Sequence, residues 1–185
     1  MKILLKNATI LDPSSPFHST SQDLLIQNGE IAKISNDIID TDNTKVIEHD
    51  NLHVSKGWFD SGVSFGEPGY EERETLENGL YVAAISGFTK ILLNPDIIPI
   101  PDSNSTISHL FKMGQNKTTS LYPIGALTYK GEGKQLASLY DMHRQGAIGF
   151  GDYKSSLTSG NLLKIALQYV QSFDGIIFSY PLNDE

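Results

Sequence analysis

The sequence predicts an α/β protein that contains about five strands of a TIM-type (β/α)8 barrel, preceded by a β-rich segment. Two observations support this fold class. Residues 1–55 hold short apolar runs between turn residues, and residues 56–185 alternate between strand-like runs and helical periodicity. Such alternation is typical of a parallel sheet covered by helices. We therefore divide the chain into an amino-terminal segment, 1–55, and a partial barrel, 56–185.

The amino-terminal segment is expected to form six short strands. Its strongest signal is Asn28-Gly29, because both residues tolerate the positive φ that a tight hairpin turn requires. A Ser- and Pro-rich stretch at 13–21 predicts a loop. From its residues alone, the segment reads as a small β-domain. The strands are predicted at 2–5, 9–11, 24–26, 31–34, 45–48 and 52–54.

The partial barrel is expected to begin with a buried strand within 57–69. Phe59 and Val63 supply its apolar side chains, and Glu-Pro-Gly at 67–69 forces the chain to turn. The last helix has a predicted core stripe of Leu162, Leu163, Ile165, Ala166 and Val170. Helices are predicted at 71–86, from 102–104 onwards, at 133–145 and at 159–173. Further strands are predicted at 88–93, 120–127, 147–150 and 175–179.

About five strands fall short of the eight strands of a closed barrel. An open sheet of the flavodoxin type is the alternative, but such folds usually carry a Gly-rich or acidic cluster at the first strand–helix turn. We expect the chain to be one part of a barrel that a second copy or another polypeptide completes. Without that cover, the barrel interior near Val63, Leu92 and Ile177 would lie open.

The composition excludes several function classes. The chain of 185 residues has 14 basic and 22 acidic residues, a net charge of −8, which argues against nucleic-acid or anionic-membrane partners. It has no cysteine, so a disulfide framework and a thiolate metal site are both excluded. No apolar run has the length of a signal region or a membrane span, so a cytoplasmic protein is expected.

The order of motifs resembles that of the dihydroorotase branch of the amidohydrolases. The family's first barrel strand reads Gly-Phe-(Ile)-Asp-x-His-Val-His-Phe/Leu-Arg-Glu-Pro-Gly, and 57–69 is similar, with Asp60 and Glu-Pro-Gly retained. Arg-Glu-Thr-Leu at 73–76 and Ala-Ala-Ile-Ser-Gly-Phe-Thr at 83–89 also resemble family motifs. The resemblance implies that 1–55 is the amino-terminal part of a β-sandwich and that a barrel follows.

The resemblance also implies a zinc site whose ligands this chain lacks, as in non-catalytic homologues of the family. Gly62 and Ser64 stand in place of two metal-binding histidines, and Ser179 ends the strand that normally carries a metal-binding His-x-Glu. Zinc requires imidazole, thiolate or carboxylate ligands, which glycine and an unactivated serine do not supply. Asp152, which resembles a ligand of one dihydroorotase class, is retained. No zinc and no other cofactor is expected.

Positions that bind substrate in the family are altered as well. Gly66 stands in place of an arginine, and Asp96 stands in place of an asparagine. Asp60, Asp96 and Asp152 are expected to lie at one barrel mouth, either holding loop amides by hydrogen bonds or attracting a cation. Tyr153 is expected to fill space that metal and substrate would occupy.

Three functions agree with these residues, and we rank them. The first is a catalytically inactive dihydroorotase-like protein, for which the resemblance implies a structural role in assembling aspartate transcarbamoylase. The second is an active hydrolase of a cyclic amide with an altered site. The third is a small-molecule binding domain that keeps the barrel mouth. A turnover assay separates the second function from the other two.

Overall fold

The computed structural model describes residues 1–39, 43–157 and 159–181. These residues fall into two compact units, which divide between Lys56 and Gly57. Within the described ranges the chain forms ten strands and four α-helices, with six strands first and a helix–strand alternation afterwards. No helix in this part of the chain is long and apolar enough to cross a membrane.

The first unit is a five-stranded sheet of order β3-β2-β1-β4, with β5 also paired to β1. β2 pairs with β1 and β3 in antiparallel fashion, whereas β4 and β5 run parallel to β1. The predicted hairpin turn is present, with positive φ at both Asn28 and Gly29. The strands are β1 (Lys2–Leu11), β2 (Ser21–Gln27), β3 (Glu30–Ser35), β4 (Thr44–Ile47) and β5 (His53–Ser55).

β1 corrects one prediction, because the strands expected at 2–5 and 9–11 are a single strand. The register against β2 shifts in the middle of β1, where Asn7 has a φ of 52°. At such a bulge an N–H group leaves the strand ladder. Here the backbone N–H of Asn7 donates to the Asp23 carboxylate at 3.0 Å. β1 is therefore one continuous strand, because the Asp23 side chain accepts the hydrogen bond of the N–H group that leaves the ladder.

The second unit is built on a five-stranded parallel sheet of order β10-β9-β8-β7-β6. A helix follows each strand except the last, so the predicted alternation and the strand number are confirmed. The strands are β6 (Trp58–Val63), β7 (Phe88–Leu93), β8 (Ser120–Gly125), β9 (Gly149–Phe150) and β10 (Ile176–Ile177). The helices are α1 (Leu76–Ile85), α2 (Asn104–Met113), α3 (Leu139–Arg144) and α4 (Gly160–Val170), with 3₁₀ turns at Tyr129–Gly131 and Gln171–Phe173.

Two buried apolar clusters hold the sheet and helices of this unit together. The first joins α1 and α2 to β7 and β8, and the second joins α3 and α4 to β9. Their burial is the main stabilising contribution in the unit. The first includes Leu76, Leu80, Ile91, Leu93, Leu110 and Leu121, and the second includes Leu139, Met142, Phe150, Ala166 and Val170.

Two helices begin later than predicted. α1 was expected from residue 71, but turns occupy 71–73, and Thr75 caps the helix by accepting the Asn78 N–H at 3.2 Å. α3 was expected from residue 133, but the Ala137 N–H donates to the Leu127 carbonyl at 3.0 Å. That bond ties the segment before α3 to the chain leaving β8, so helical hydrogen bonds start only afterwards.

The core stripe of α4 is narrower than predicted. Ala166 and Val170 are buried, whereas Ile165 is 46% exposed. Successive residues of an α-helix point about 100° apart, so Ile165 lies on a different face from Ala166. The buried residues of α4, Ala166 and Val170, are therefore four residues apart, and Leu162 and Leu163 are only partly buried.

β6, the first of the five strands, lies at one edge of the sheet and is exposed there, although a buried strand was predicted. No described strand pairs with its outer side, and Trp58 and Phe59 are 61% and 55% exposed. Leu92 was expected to lie near an open barrel interior, but it is buried. The open part of the sheet therefore lies at its edges, not along β7.

Candidate functional site

The candidate site lies beyond the carboxyl ends of the parallel strands of the second unit. Residues that follow β6, β7, β8 and β9 line one cavity there, of about 450 Å³. Parallel α/β sheets place their ligand sites at this end, because the loops that leave neighbouring strands converge there. We call it the Asp96 cavity, after one of the carboxylates that line it.

Of the two predicted positions Gly62, near the end of β6, and Ser64, just after it, Ser64 belongs to a small polar cluster. Asn94 Nδ2 donates to Ser64 Oγ at 3.0 Å, and Ser64 Oγ donates to the Tyr153 hydroxyl at 3.3 Å. A Cβ atom added to Gly62 would lie 3.5 Å from Asn94 Oδ1. Ser64, Asn94 and Tyr153, here called the Ser64 cluster, thus join the ends of three elements by hydrogen bonds between neutral groups.

The turn after β6 explains why residue 66 is a glycine. Gly66 has a φ of 109°, and a Cβ atom there would lie 2.6 Å from the Tyr70 carbonyl oxygen. The Tyr70 N–H donates to the Gly66 carbonyl at 2.9 Å and closes the turn. Further along, the Gly69 N–H donates to Glu71 Oε1 at 2.9 Å, which lowers the pKa of the Glu71 carboxyl. No side chain of any kind fits at residue 66 in this turn.

An ion pair connects this turn to the loop after β7. Arg73 Nη2 donates to Asp96 Oδ2 at 2.9 Å, and the guanidinium lies 5.1 Å above the centre of the Tyr70 ring. Asp96 Oδ1 is buried and has no hydrogen-bond partner among the described residues. Arg73 therefore fixes one oxygen of Asp96 and leaves the other facing no donor.

Asp152 is held by the protein itself. Its Oδ1 accepts the Thr128 N–H at 3.0 Å, and its Oδ2 accepts the Thr128 hydroxyl at 2.6 Å. Thr128 is fully buried, and its Oγ1 also accepts the Gly133 N–H at 2.8 Å. These bonds connect the loop after β9 to the loop after β8. Asp152 thus holds a loop amide by a hydrogen bond, which is one of the two roles expected of it.

The remaining predicted site residues lie elsewhere. Asp60 accepts the Gly62 N–H at 3.0 Å and lines a second cavity, of about 340 Å³, between β6 and α1. Ser179 follows β10 and is exposed. Of the three aspartates expected at one mouth, Asp96 and Asp152 share the Asp96 cavity and Asp60 does not line it.

Three residues of this site were not singled out from the sequence. Asn94 is the first polar residue after an apolar strand, and this position is the one sequence signal by which it could have been found. Arg73 stands alone among acidic residues in a turn, and Thr128 lies in an ordinary polar loop. Their roles depend on contacts 23 to 30 residues away in sequence, which local patterns do not contain.

The residues present do not fit a zinc ion. Ser64 Oγ is engaged by two hydrogen bonds, and both oxygens of Asp152 are engaged by Thr128. Within the described ranges, no group of three or more His, Cys, Asp or Glu side chains is arranged to hold a metal. Zinc binding needs such a group of imidazole, thiolate or carboxylate ligands.

Relatives identify the family to which these features belong. No protein-family model matches the chain. The dihydroorotase of Syntrophus aciditrophicus strain SB is 34% identical over 182 residues, which is 97% of this chain and 42% of that protein. This chain is dihydroorotase-like. The dihydroorotase of Pelotomaculum thermopropionicum is 32% identical over 180 residues, with the same two coverages. The dihydroorotase-like chain thus spans about two fifths of the length of these curated relatives.

Solved structures agree in fold. The L-hydantoinase (dihydropyrimidinase) of Arthrobacter aurescens superposes with a TM-score of 0.75 at 21% identity, over 95% of this chain and 39% of its own. A dihydroorotase superposes with a TM-score of 0.62 at 12% identity, over 95% of this chain and 50% of its own. The predicted partial barrel preceded by a β-sandwich segment is confirmed.

Proposed function

We propose that this dihydroorotase-like chain acts in pyrimidine biosynthesis as a catalytically inactive protein. One observation carries the proposal: the Ser64 cluster puts hydrogen-bonded neutral groups where the family resemblance calls for metal-binding histidines. The described side-chain hydrogen bonds of the Ser64 hydroxyl go to an amide and a phenol, neither of which is a general base, and the hydroxyl has no charge to offer a metal. Water activation in the manner of a zinc hydrolase therefore lacks its ligands.

The proposed role is structural, in an assembly with aspartate transcarbamoylase. Its support is the resemblance to non-catalytic dihydroorotase homologues, together with the exposed apolar side chains at the sheet edges. Trp58 and Phe59 on β6 and Ile176 on β10 are more than half exposed. Aromatic and aliphatic residues exposed together are typical of protein interfaces.

Co-expression with the aspartate transcarbamoylase of the same organism tests this role. We expect the two proteins to co-elute through affinity and size-exclusion steps, and to stay together at about 0.5 M salt, because screening weakens charge attraction and not apolar contact. An unrelated acidic protein of similar net charge is the control. Separate elution of the two proteins at about 0.15 M salt would refute the partnership.

We also propose that a second polypeptide, either another copy or a completing chain, pairs with the edges of the parallel sheet. The outer sides of β6 and β10 have no partner strand among the described residues. Unpaired N–H and C=O groups along such edges invite association, and parallel sheets are normally covered completely.

Sedimentation combined with intact-mass measurement tests this second proposal. We expect the chain to sediment as a species heavier than its own 20.4 kDa. When forced into the monomeric state by dilution, it is expected to melt without a cooperative transition, because its sheet edges lose their cover. A monomer of 20.4 kDa that melts cooperatively would show that no completing chain is needed.

A further inference from the structure

We propose that the Asp96 cavity binds a small zwitterion, namely a free α-amino acid with an apolar side chain. The proposal goes beyond the structural role and does not depend on it. It rests on three properties of the cavity: an acceptor oxygen without a donor, cationic side chains with donor groups to spare, and apolar lining residues.

The acceptor is Asp96 Oδ1. Asp96 lines the cavity, and no described residue donates to its buried Oδ1, although Oδ2 of the same carboxylate is bound to Arg73. A buried carboxylate oxygen without a partner costs free energy, so a donor supplied by a ligand stabilises it. Asp152 adds a second negative charge to the same cavity, with no cation within ion-pair distance among the described residues. An ammonium group is the donor that satisfies both charge and hydrogen bonding.

The cationic donors are Arg73 and Lys154. The guanidinium of Arg73 has five N–H donors, and its one side-chain hydrogen bond in the described structure goes to Asp96. Lys154 Nζ lies 5.1 Å above the ring of Tyr153 and forms no ion pair with a described residue. Both side chains line the cavity, so it holds donors for a carboxylate beside an acceptor for an ammonium.

The third property is the apolar part of the cavity lining. Ile98 and Ile100 line the cavity together with Ala126. Ile98 is 53% exposed, which leaves apolar surface for a ligand to cover. The volume of about 450 Å³ accommodates an amino acid the size of leucine. Charged groups of both signs together with apolar lining residues match the groups of an apolar amino acid.

Titration calorimetry on the full chain, in the oligomeric state in which it purifies, tests this assignment. The probes are L-leucine, leucinamide, which lacks the carboxylate, and 4-methylpentanoate, which lacks the ammonium group. We expect leucine to bind at least about tenfold more tightly than either analogue, because each analogue leaves one set of charged groups without its partner. Equal affinity for leucine and an analogue, or no heat up to about 10 mM leucine, would overturn the proposal.

Two variants with matched controls locate the site. Asp96→Asn is expected to weaken leucine binding at least about tenfold, and Lys154→Met about fivefold. Asp141→Asn on α3 and Lys164→Met on α4 make the same chemical changes on exposed side chains outside the cavity, and should leave affinity within about twofold. If Asp96→Asn fails to fold, the Lys154→Met variant and the analogue series decide whether leucine binds in the Asp96 cavity. Leucine affinity that is unchanged in Lys154→Met would place the binding elsewhere.

Discussion

Dihydroorotate will be neither hydrolysed nor formed by this protein, with or without added zinc. Relative to an active dihydroorotase assayed beside it, we expect a rate lower by about 10⁶-fold or more, the scale of an enzyme's whole acceleration. The reason is the donor set: Gly62 offers no side chain, and Ser64 is held by Asn94 and Tyr153. Elemental mass spectrometry of the same sample should find well under one equivalent of zinc.

Restoring two histidines is not expected to restore turnover. In the double variant Gly62→His, Ser64→His, the Asn94 amide lies 3.5 Å from the new Cβ at residue 62, and both Asp152 oxygens still accept hydrogen bonds from Thr128. A single Ser64→Ala variant is the matched control, because it removes the hydrogen bonds without adding a ligand. Turnover by the unmodified protein that co-elutes with it, or near-stoichiometric zinc after dialysis, would contradict the inactive assignment.

Asp23→Asn is expected to destabilise the amino-terminal unit by about 3 kcal/mol, the usual cost of breaking a buried ion pair. The Asp23 side chain is 1% exposed and accepts hydrogen bonds from Lys6 Nζ at 2.7 Å, the Ile38 N–H at 2.9 Å and the Asn7 N–H at 3.0 Å. Native-state hydrogen exchange of β1 and β2 measures the loss within this unit.

Asp37→Asn is the matched control, since Asp37 contacts the same Lys6 Nζ at 3.6 Å but is 84% exposed. A change of at most about 0.5 kcal/mol is expected there. Equal losses in the two variants would mean that burial and the backbone donors around Asp23 do not matter. That outcome would refute the account of the β1 bulge as well, because the bulge depends on the same carboxylate.

The stability that Asp23 contributes also has a defined pH dependence. Burial raises the pKa of Asp23, but hydrogen bonds from Lys6, Asn7 and Ile38 outweigh burial and hold that pKa below its usual value. A carboxyl whose folded pKa is depressed contributes stability above the unfolded value, about 3.9, and loses it as pH falls through the folded pKa. The wild-type unit should therefore lose stability below about pH 4, and Asp23→Asn should lose less over that interval.

Much of the fold follows from local sequence. The Asn28-Gly29 turn sits between β2 and β3 as predicted, because its positive φ values are set by these two residues. The order of helices and strands after residue 56 follows from apolar spacing, which is also local. Helix starts were less well predicted: α3 begins late because a bond from Ala137 to Leu127 competes with its first turn.

For the site, the sequence by itself determined that residues 62 and 64 supply no imidazole ligand. Glycine and serine at 62 and 64 exclude imidazole ligands whatever the fold, since ligand chemistry is a property of the side chain. Only the tertiary structure decided what the remaining charged groups do. Both oxygens of Asp152 accept hydrogen bonds from Thr128, 24 residues earlier. In the part of the chain that the structure describes, only one oxygen of Asp96 accepts a hydrogen bond, from Arg73, 23 residues earlier. Hydrogen bonds over such separations exist only once the strands lie side by side, so no local pattern specifies which carboxylate oxygen stays without a donor.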